Sequence, residues 1–454
     1  MKKANDLGKD SIGKLLLRMS LPAILAQLVN VLYSIVDRMY IGRMAGVGDI
    51  ALTGVGVVFP IITLISAFSA LVGMGGSTRA SIAMGQGDMD KAERILGNCI
   101  SLLCVLSVVL TTVFLVFRTP MLNAFGASPS TFGYANSYLV IYVSGTIFVQ
   151  VALGLNSFIN AQGYAKTGMM TVVIGAVINI VLDPIFIFAF KMGVAGAALA
   201  TILSQAVSAA WVFGFLLSKR SILKIRLKNL RLSWKILGPI LALGLSPFIM
   251  QSTESLVQIT LNSGLQRYGG DLYVGANTIM GSIMQVFLMP VMGLTQGAQP
   301  ILGYNYGARQ LDRVKKTFKL LLISGLALAL TFWGVLMLFP KIFILIFNDK
   351  PELVELTAWA IRIFFGATGL MGIQLACQQT LLAVGEAKTS IFLALLRKIV
   401  LLIPLALILP RFWGATGIFV AEPIADFLAI VTTSIVFAIQ FRKVLARGGP
   451  EQAK

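Results

Sequence analysis

The chain has 454 residues, of which 57% are hydrophobic and only 12% charged, a balance outside that of soluble globular domains. The formal charge of +19 does not make it a nucleic-acid binder, because the basic residues are spread over loops between long apolar stretches. Histidine is absent, which excludes a His-based triad or metal site, and no GxxxxGK[ST] loop is present to take ATP.

In chain order, apolar stretches fall at 15–41, 53–78, 95–117, 134–159, 168–190, 193–217, 237–262, 272–302, 320–339, 357–383, 389–409 and 415–440. Each is long enough to cross a hydrocarbon core of roughly 30 Å as a helix. The expected fold class is all-α integral membrane, with about twelve transmembrane helices. Lys2, Lys3, Lys9 and Lys14 lead straight into the first stretch, without a short apolar core and small-residue cleavage site, so that helix is expected to be retained. Cys99, Cys104 and Cys377 all lie inside spans and read as small core residues. With the N-terminus inside, 26 of the 37 Lys and Arg residues fall on inside loops, 8 outside and 3 (Arg362, Arg397 and Lys398) within spans. Such a bias follows the positive-inside rule and puts both termini in the cytoplasm.

The most basic loop lies near the middle. It divides the chain into an expected N-lobe at 1–218, a cytoplasmic linker at 219–235 and a C-lobe at 236–454, each lobe with six spans. Local self-similarity agrees with this division. Ala161-Gln-Gly-Tyr-Ala-Lys-Thr167 recurs as Ala383-Val-Gly-Glu-Ala-Lys-Thr389, and Leu182-Asp-Pro184 as Leu402-Ile-Pro404. Gly193-Val-Ala-Gly196 recurs as Gly414-Ala-Thr-Gly417, and the run Gly73 to Gly87 matches Gly293 to Gly307. An even number of spans per repeat keeps the halves parallel, and such pairs commonly rock about a site between them.

Charge inside the bilayer costs roughly 2.5–3.5 kcal/mol on insertion scales, so intramembrane acids are functional candidates. Asp37, Asp183, Glu254, Glu422 and Asp426 qualify, all in the outer half of their spans. Asn179 and Asp183 share a helix face, and Thr201 lies at a similar depth. Two carboxylates, an amide and a hydroxyl at one level suit either a dehydrated Na⁺ at Asp37 and Asp183 or a proton shared between the acids. The plainer alternative is that Asp37 caps the end of span one. In the C-lobe, Lys398 or Arg397 is expected to form a structural ion pair with Asp426 or Glu422. Glu254 has no evident cationic partner in the sequence and becomes a candidate for a cationic substrate or a second coupling site. Met280, Met284 and Phe287 would supply an adaptable apolar cavity wall, with Gln285 and Gln296 as its polar members, unless these residues simply fill the core.

Pro22, the Val36-Asp37 pair, Asn179-Ile-Val-Leu-Asp-Pro184 and the duplicated Gly-x-Ala-Lys-Thr loop resemble the multidrug and toxic compound extrusion (MATE) family, and in particular its bacterial MepA-like branch. The resemblance covers essentially the whole chain. It implies a drug/cation antiporter in a V-shaped, two-lobed fold, with a first-lobe cation site that maps onto Asp37, Asn179, Asp183 and Thr201. An acid on span seven of some relatives matches Glu254, whereas an Asp they carry on span ten has no counterpart between Ala358 and Leu382.

The expected function is therefore H⁺- or Na⁺-coupled export of lipophilic, often cationic drugs from a bacterial plasma (inner) membrane. No cofactor, nucleic acid or enzymatic activity is expected; membrane lipids surround a monomer. The nearest rival is a flippase for lipid-linked oligosaccharides, which would need a cavity basic enough for pyrophosphate. An intramembrane enzyme would need a nucleophile and base that the chain does not supply, and a passive channel fits the duplication poorly.

Overall fold

A computed structural model describes residues 5–448. Lys2, Lys3 and Lys454, counted above among the inside charges, lie outside the described residues. The first half comprises α1 (Ile12–Gly42), α2 (Gly48–Gly85), α3 (Met89–Val116), α4 (Arg118–Ala124), α5 (Phe132–Ser144), α6 (Thr146–Ala161), α7 (Ala165–Pro184) and α8 (Val194–Leu217). The second half comprises α9 (Trp234–Gly269), α10 (Asp271–Gly307), α11 (Leu311–Leu338), α12 (Pro340–Ile344), α13 (Pro351–Phe364), α14 (Met371–Ala383), α15 (Ala387–Leu395), α16 (Ile403–Ile408) and α17 (Pro410–Ala446). Ten segments are long and apolar enough to cross a membrane unbroken, and two bent pairs bring the count to as many as twelve. The fold class is thus all-α and membrane-spanning.

Two spans read as continuous from their hydropathy are broken. The stretch at 134–159 bends by 57° between α5 and α6, and that at 357–383 bends by 48° between α13 and α14. In each break a side chain takes up a freed helix carbonyl, which is what allows a break at this depth. Thr111 and Thr146 both donate to the Val143 carbonyl, at 2.9 and 2.7 Å, and the Trp333 indole donates to the Phe365 carbonyl at 2.8 Å. Cys99 and Cys377 are buried, as core residues should be, but Cys104 is exposed on α3.

One end of the bundle carries the basic loops and both ends of the described chain; we call it the basic end, and the other the far end. At the far end the apolar core splits in two. One cluster draws only on the first half, around Val55, Ile61, Phe114, Tyr138 and Val194; the other draws only on the second, around Leu261, Met280, Phe364 and Phe419. At the basic end the halves merge, with Leu15, Met19 and Ile82 packed among Ile301, Leu321 and Phe441. The cleft between the halves therefore opens at the far end.

The seam that closes the basic end is a set of backbone approaches related by the repeat. A Cβ on Gly85 would strike the Tyr304 carbonyl, and one on Gly307, 222 positions later, would strike the Ile82 carbonyl, itself 222 before Tyr304. Farther in, Gly75 abuts Ile240 and Gly244, while Gly297 and Gly293 abut Ser20 and Ile24. Only glycine permits such contact, so α2 lies against α9 and α10 lies against α1 at nearly backbone distance. Residues 5–11 strap this end: Asn305 and Arg313 donate to the Leu7 carbonyl at 2.9 and 3.0 Å, Arg313 reaches the Asp10 carbonyl at 2.8 Å, and Asn5 donates to the Gly163 carbonyl at 3.0 Å.

Gly85→Ala with Gly307→Ala should disfavour this closed seam, since overpacking a fitted contact costs about 1–3 kcal/mol. Spin labels at Ile50 and Tyr268, one on each side of the far-end mouth, would report a shift toward shorter distances. An unchanged distance distribution would show that the seam does not set the state.

Candidate functional site

Asp183 is the penultimate residue of α7, fully buried, and Pro184 directly after it passes into a π-helical turn at Ile185–Ala189. Proline removes an amide from the helix ladder, and the wider π turn absorbs the resulting mismatch beside the carboxylate. Asn179, one turn earlier, donates to Asp183 Oδ1 at 3.2 Å and to Thr201 Oγ1 at 3.4 Å. Thr201 commits its own proton to the Ala197 carbonyl at 3.0 Å, so its oxygen faces the cluster as an acceptor. Asp37 comes from α1, which packs along α7 and brings the two carboxylates together.

The four first-half residues grouped by depth are thus adjacent. Asp37 does not cap its helix, because α1 continues to Gly42. Arg38 beside it lays its guanidinium over the Phe59 ring, 4.3 Å from the centroid, and forms no ion pair among the described residues. Asp37 Oδ1, Asp183 Oδ2 and Asn179 Oδ1 are buried oxygens that accept no hydrogen bond. Buried acceptors are normally satisfied, so a cluster of acceptor oxygens without a donor fits a proton or a small hard cation. Tyr33 and Tyr138 also face Asp37, with Tyr138 against Thr201. Neither was singled out from sequence, although Tyr33 precedes Asp37 by one turn and so shares its face.

Of the two second-half cations expected to pair with Asp426 or Glu422, one does so. Arg397, rather than Lys398, spans the two acids of α17, donating from Nε to Asp426 Oδ1 at 2.6 Å and from Nη2 to Glu422 Oε1 at 2.9 Å. Glu422 and Asp426 are one helical turn apart, and a forked guanidinium reaches both where an ammonium would reach one. Lys398 instead pairs with Glu254 at 2.5 Å and donates to the Met250 carbonyl at 2.6 Å. Glu254 therefore has the cationic partner that the sequence did not reveal, because α9 lies against α15 and α16. Consecutive residues of an α-helix point about 100° apart; here the π-helical segment Leu396–Leu402 brings both cations inward.

Between the halves lies a cavity of about 330 Å³, walled by Gln27, Asn30, Asn156, Gln251, Gln296 and Gln299 among others. Gln27 donates to Gln296 across the cleft at 3.2 Å, and Gln299 to Thr78 at 2.6 Å. No Lys, Arg, Asp or Glu lines it. Of the five α10 residues expected there, only Gln296 is present. Met280 is buried with Val257 and Phe364, and Phe287 packs against Phe332, 5.3 Å between centroids, with Met371. Met284 packs between those two groups, and Gln285 is exposed and does not line this cavity. The Met and Phe stripe on α10 is the face turned toward its own half. A smaller cavity of about 40 Å³, bounded by Asn30, Tyr33, Asn156, Gly175 and Ser204, lies between the central cavity and the Asp37/Asp183 cluster. A single water needs about 10–15 Å³ of such space.

Comparison with known proteins agrees with this architecture. The sequence model of the MatE family matches the chain twice, over residues 22–185 and 247–408. The multidrug export protein MepA of Staphylococcus haemolyticus is 26% identical over 438 residues, covering 96% of this chain and 95% of that protein. Among solved structures, the MATE multidrug transporter DinF-BH is 35% identical, with a TM-score of 0.90 over 98% of this chain and 99% of that one. An outward-facing MATE transporter of the MOP superfamily shares the fold at a TM-score of 0.91 and 24% identity, over 98% and 99% of the two chains. Two family matches spanning most of a duplicated, helical, membrane-spanning chain leave one conclusion: the protein belongs to the MatE family, whose members are transporters and not enzymes.

Proposed function

We propose that this protein is a cation-coupled exporter of lipophilic, often cationic compounds, driven by H⁺ or Na⁺ and working as a monomer in a bacterial plasma membrane. Residues 1–218 and 236–454 form the two lobes, 219–235 links them, and the basic end faces the cytoplasm in keeping with the positive-inside rule. The far-end opening then faces outward. The names of the relatives, a multidrug export protein and a multidrug transporter, point the same way.

One contrast carries the proposal. The second-half acids Glu422 and Asp426 are neutralised by Arg397, and Glu254 by Lys398. Asp37 and Asp183 have no cationic partner of their own among the described residues. The first-half cluster is therefore the one that takes its neutralising charge from solvent, as a proton shared by the two carboxylates or as Na⁺ held by Asp37, Asp183, Asn179 and Thr201.

The substrate occupies the central cavity, where amides and hydroxyls offer adaptable contacts without a fixed counter-charge. That uncharged lining gives no support to a pyrophosphate-lipid flippase. A bound ion biases the equilibrium between outward- and inward-open states only through different affinity for the two, and substrate does so in the opposite sense. At 100 mV each charge moved is worth about 2.3 kcal/mol, which sustains a roughly 50-fold gradient of a neutral compound.

Proteoliposomes loaded with a fluorescent lipophilic cation, with pH and Na⁺ gradients imposed separately, test the assignment. One gradient should drive transport in the parent, where a tenfold ion gradient exchanged one for one against a monovalent cation sustains about a tenfold gradient of that cation, and in Asp183→Asn this gradient should collapse toward unity. Gradient-driven transport that survives in a correctly inserted Asp183→Asn would move coupling elsewhere.

Arg397 should behave as a structural residue. Arg397→Leu strands two buried carboxylates, and breaking a buried pair costs about 3–5 kcal/mol. A thermal melt should show a loss of many degrees, with Arg397→Lys intermediate because it restores charge but not the fork. Protein of either variant that remains folded should still respond to the same ion gradient as the parent.

A further inference from the structure

A second large cavity, about 910 Å³, opens on the side of the bundle at its basic end, where the start of α1, the start of α7 and the end of α8 meet. It is larger than the central cavity and shares no lining residue with the Asp37/Asp183 cluster. Its rim carries three cations, Arg18, Lys166 and Arg220, all exposed and none in an ion pair among the described residues. No acid lines it. The rim is held in place: the Tyr164 hydroxyl donates to the Arg220 carbonyl at 2.9 Å, and Asn5 to the Gly163 carbonyl at 3.0 Å.

The floor is apolar. Met170, Ala210, Trp211, Gly214 and Phe215 form it, and Ala210 and Gly214 stand one turn apart on α8, so their small side chains leave a furrow along the helix. Nothing lies within 4 Å of where a Gly214 side chain would begin. Trp211 donates its indole N–H to the Thr167 carbonyl at 3.4 Å. Six residues separate it from the end of α8, a depth of about 9 Å, where indole rings commonly sit at a membrane interface.

A rim of unpaired cations above an apolar furrow that runs into the membrane matches one chemical class, an amphiphile with an anionic head. A free phosphate would use the rim and leave the furrow unexplained. We propose that this cavity binds an anionic phospholipid of the basic-end leaflet, with its phosphodiester among Arg18, Lys166 and Arg220 and one acyl chain along Ala210 and Gly214. The assignment stands apart from the coupling mechanism and does not depend on it.

The test places the full-length protein in phosphatidylcholine nanodiscs containing a brominated lipid, either phosphatidylglycerol or phosphatidylcholine, and reads tryptophan fluorescence. The Trp211 contribution is the difference between parent and Trp211→Phe. Brominated phosphatidylglycerol should half-quench that component at a mole fraction on the order of a hundredfold lower than brominated phosphatidylcholine, as three basic contacts to an anionic lipid imply. The triple variant Arg18→Gln/Lys166→Gln/Arg220→Gln should lose the preference. Arg231→Gln/Lys235→Gln/Lys316→Gln, with the same change in net charge, should keep it. Equal quenching by the two lipids, or a preference that survives the first triple or falls equally in both, overturns the proposal. Relief of phosphatidylglycerol quenching by millimolar inorganic phosphate would make this a small-anion site and also overturn it.

Discussion

A carboxylate held in a hydrocarbon slab must be neutralised, and the two halves of this protein meet that demand in different ways. The second half supplies its own cation: Arg397 bridges Glu422 and Asp426, and Lys398 closes on Glu254. The first half does not: acceptor oxygens stay without a donor in both halves, but Glu422 and Asp426 share Arg397, whereas Asp37 and Asp183 form no ion pair among the described residues. Each half has a π-helical turn in the equivalent span, at Ile185–Ala189 and Leu396–Leu402, although the repeat offset does not superpose the two. The turn serves opposite purposes. In the first half it follows the acid it positions; in the second it aims two neighbouring cations at acids on other helices.

The seam at the basic end suits a protein whose halves must part. Its closest contacts are between glycines and backbone carbonyls, supplemented by amide pairs such as Gln27 with Gln296 and Gln299 with Thr78. Contacts of this kind add little side-chain volume of their own and expose polar groups that water can satisfy, but the shared apolar cluster of Leu15, Met19, Ile82, Ile301 and Phe441 must part with them. The large apolar clusters at the far end lie wholly within one half or the other and would move as units.

Much of this was legible in the sequence, for identifiable reasons. Hydropathy located the spans because each must be continuously apolar. Residue offsets revealed the repeat but not the seam: the match of Gly73–Gly87 to Gly293–Gly307 runs at 220, whereas the close approaches relate Gly85 to Gly307 at 222. The repeat also places Gly193 and Gly414 in one unusual backbone conformation, φ 57° and 56°. Depth along a helix grouped Asp37 with Asn179, Asp183 and Thr201, because helix rise is fixed. Depth does not give rotation about the helix axis, and there the expectations failed. Met280 and Phe287 turn toward their own half, Lys398 turns to Glu254, and of the cavity's amides only those of α10 were anticipated. The breaks at Gly145 and near Phe365 were hidden because hydropathy is indifferent to a carbonyl capped by a threonine or a tryptophan.

The position of α1 explains how the parts communicate. Near its basic end Ser20 and Ile24 press on Gly297 and Gly293, in the middle Gln27 and Asn30 line the central cavity, and toward the far end Tyr33 and Asp37 face the acid cluster. Asn30 also borders the small cavity beside Tyr33. One helix thus takes part in the seam, the substrate cavity and the cation cluster, and it packs on α7 from its own half and α10 from the other. On the proposed coupling, charge at Asp37 would set how closely α1 is held to α7, since two bare carboxylates repel and a shared proton or cation joins them. A stiff helix cannot change its hold on α7 at one end without altering its fit against Gly293 and Gly297 at the other, and that fit is part of what keeps the basic end shut.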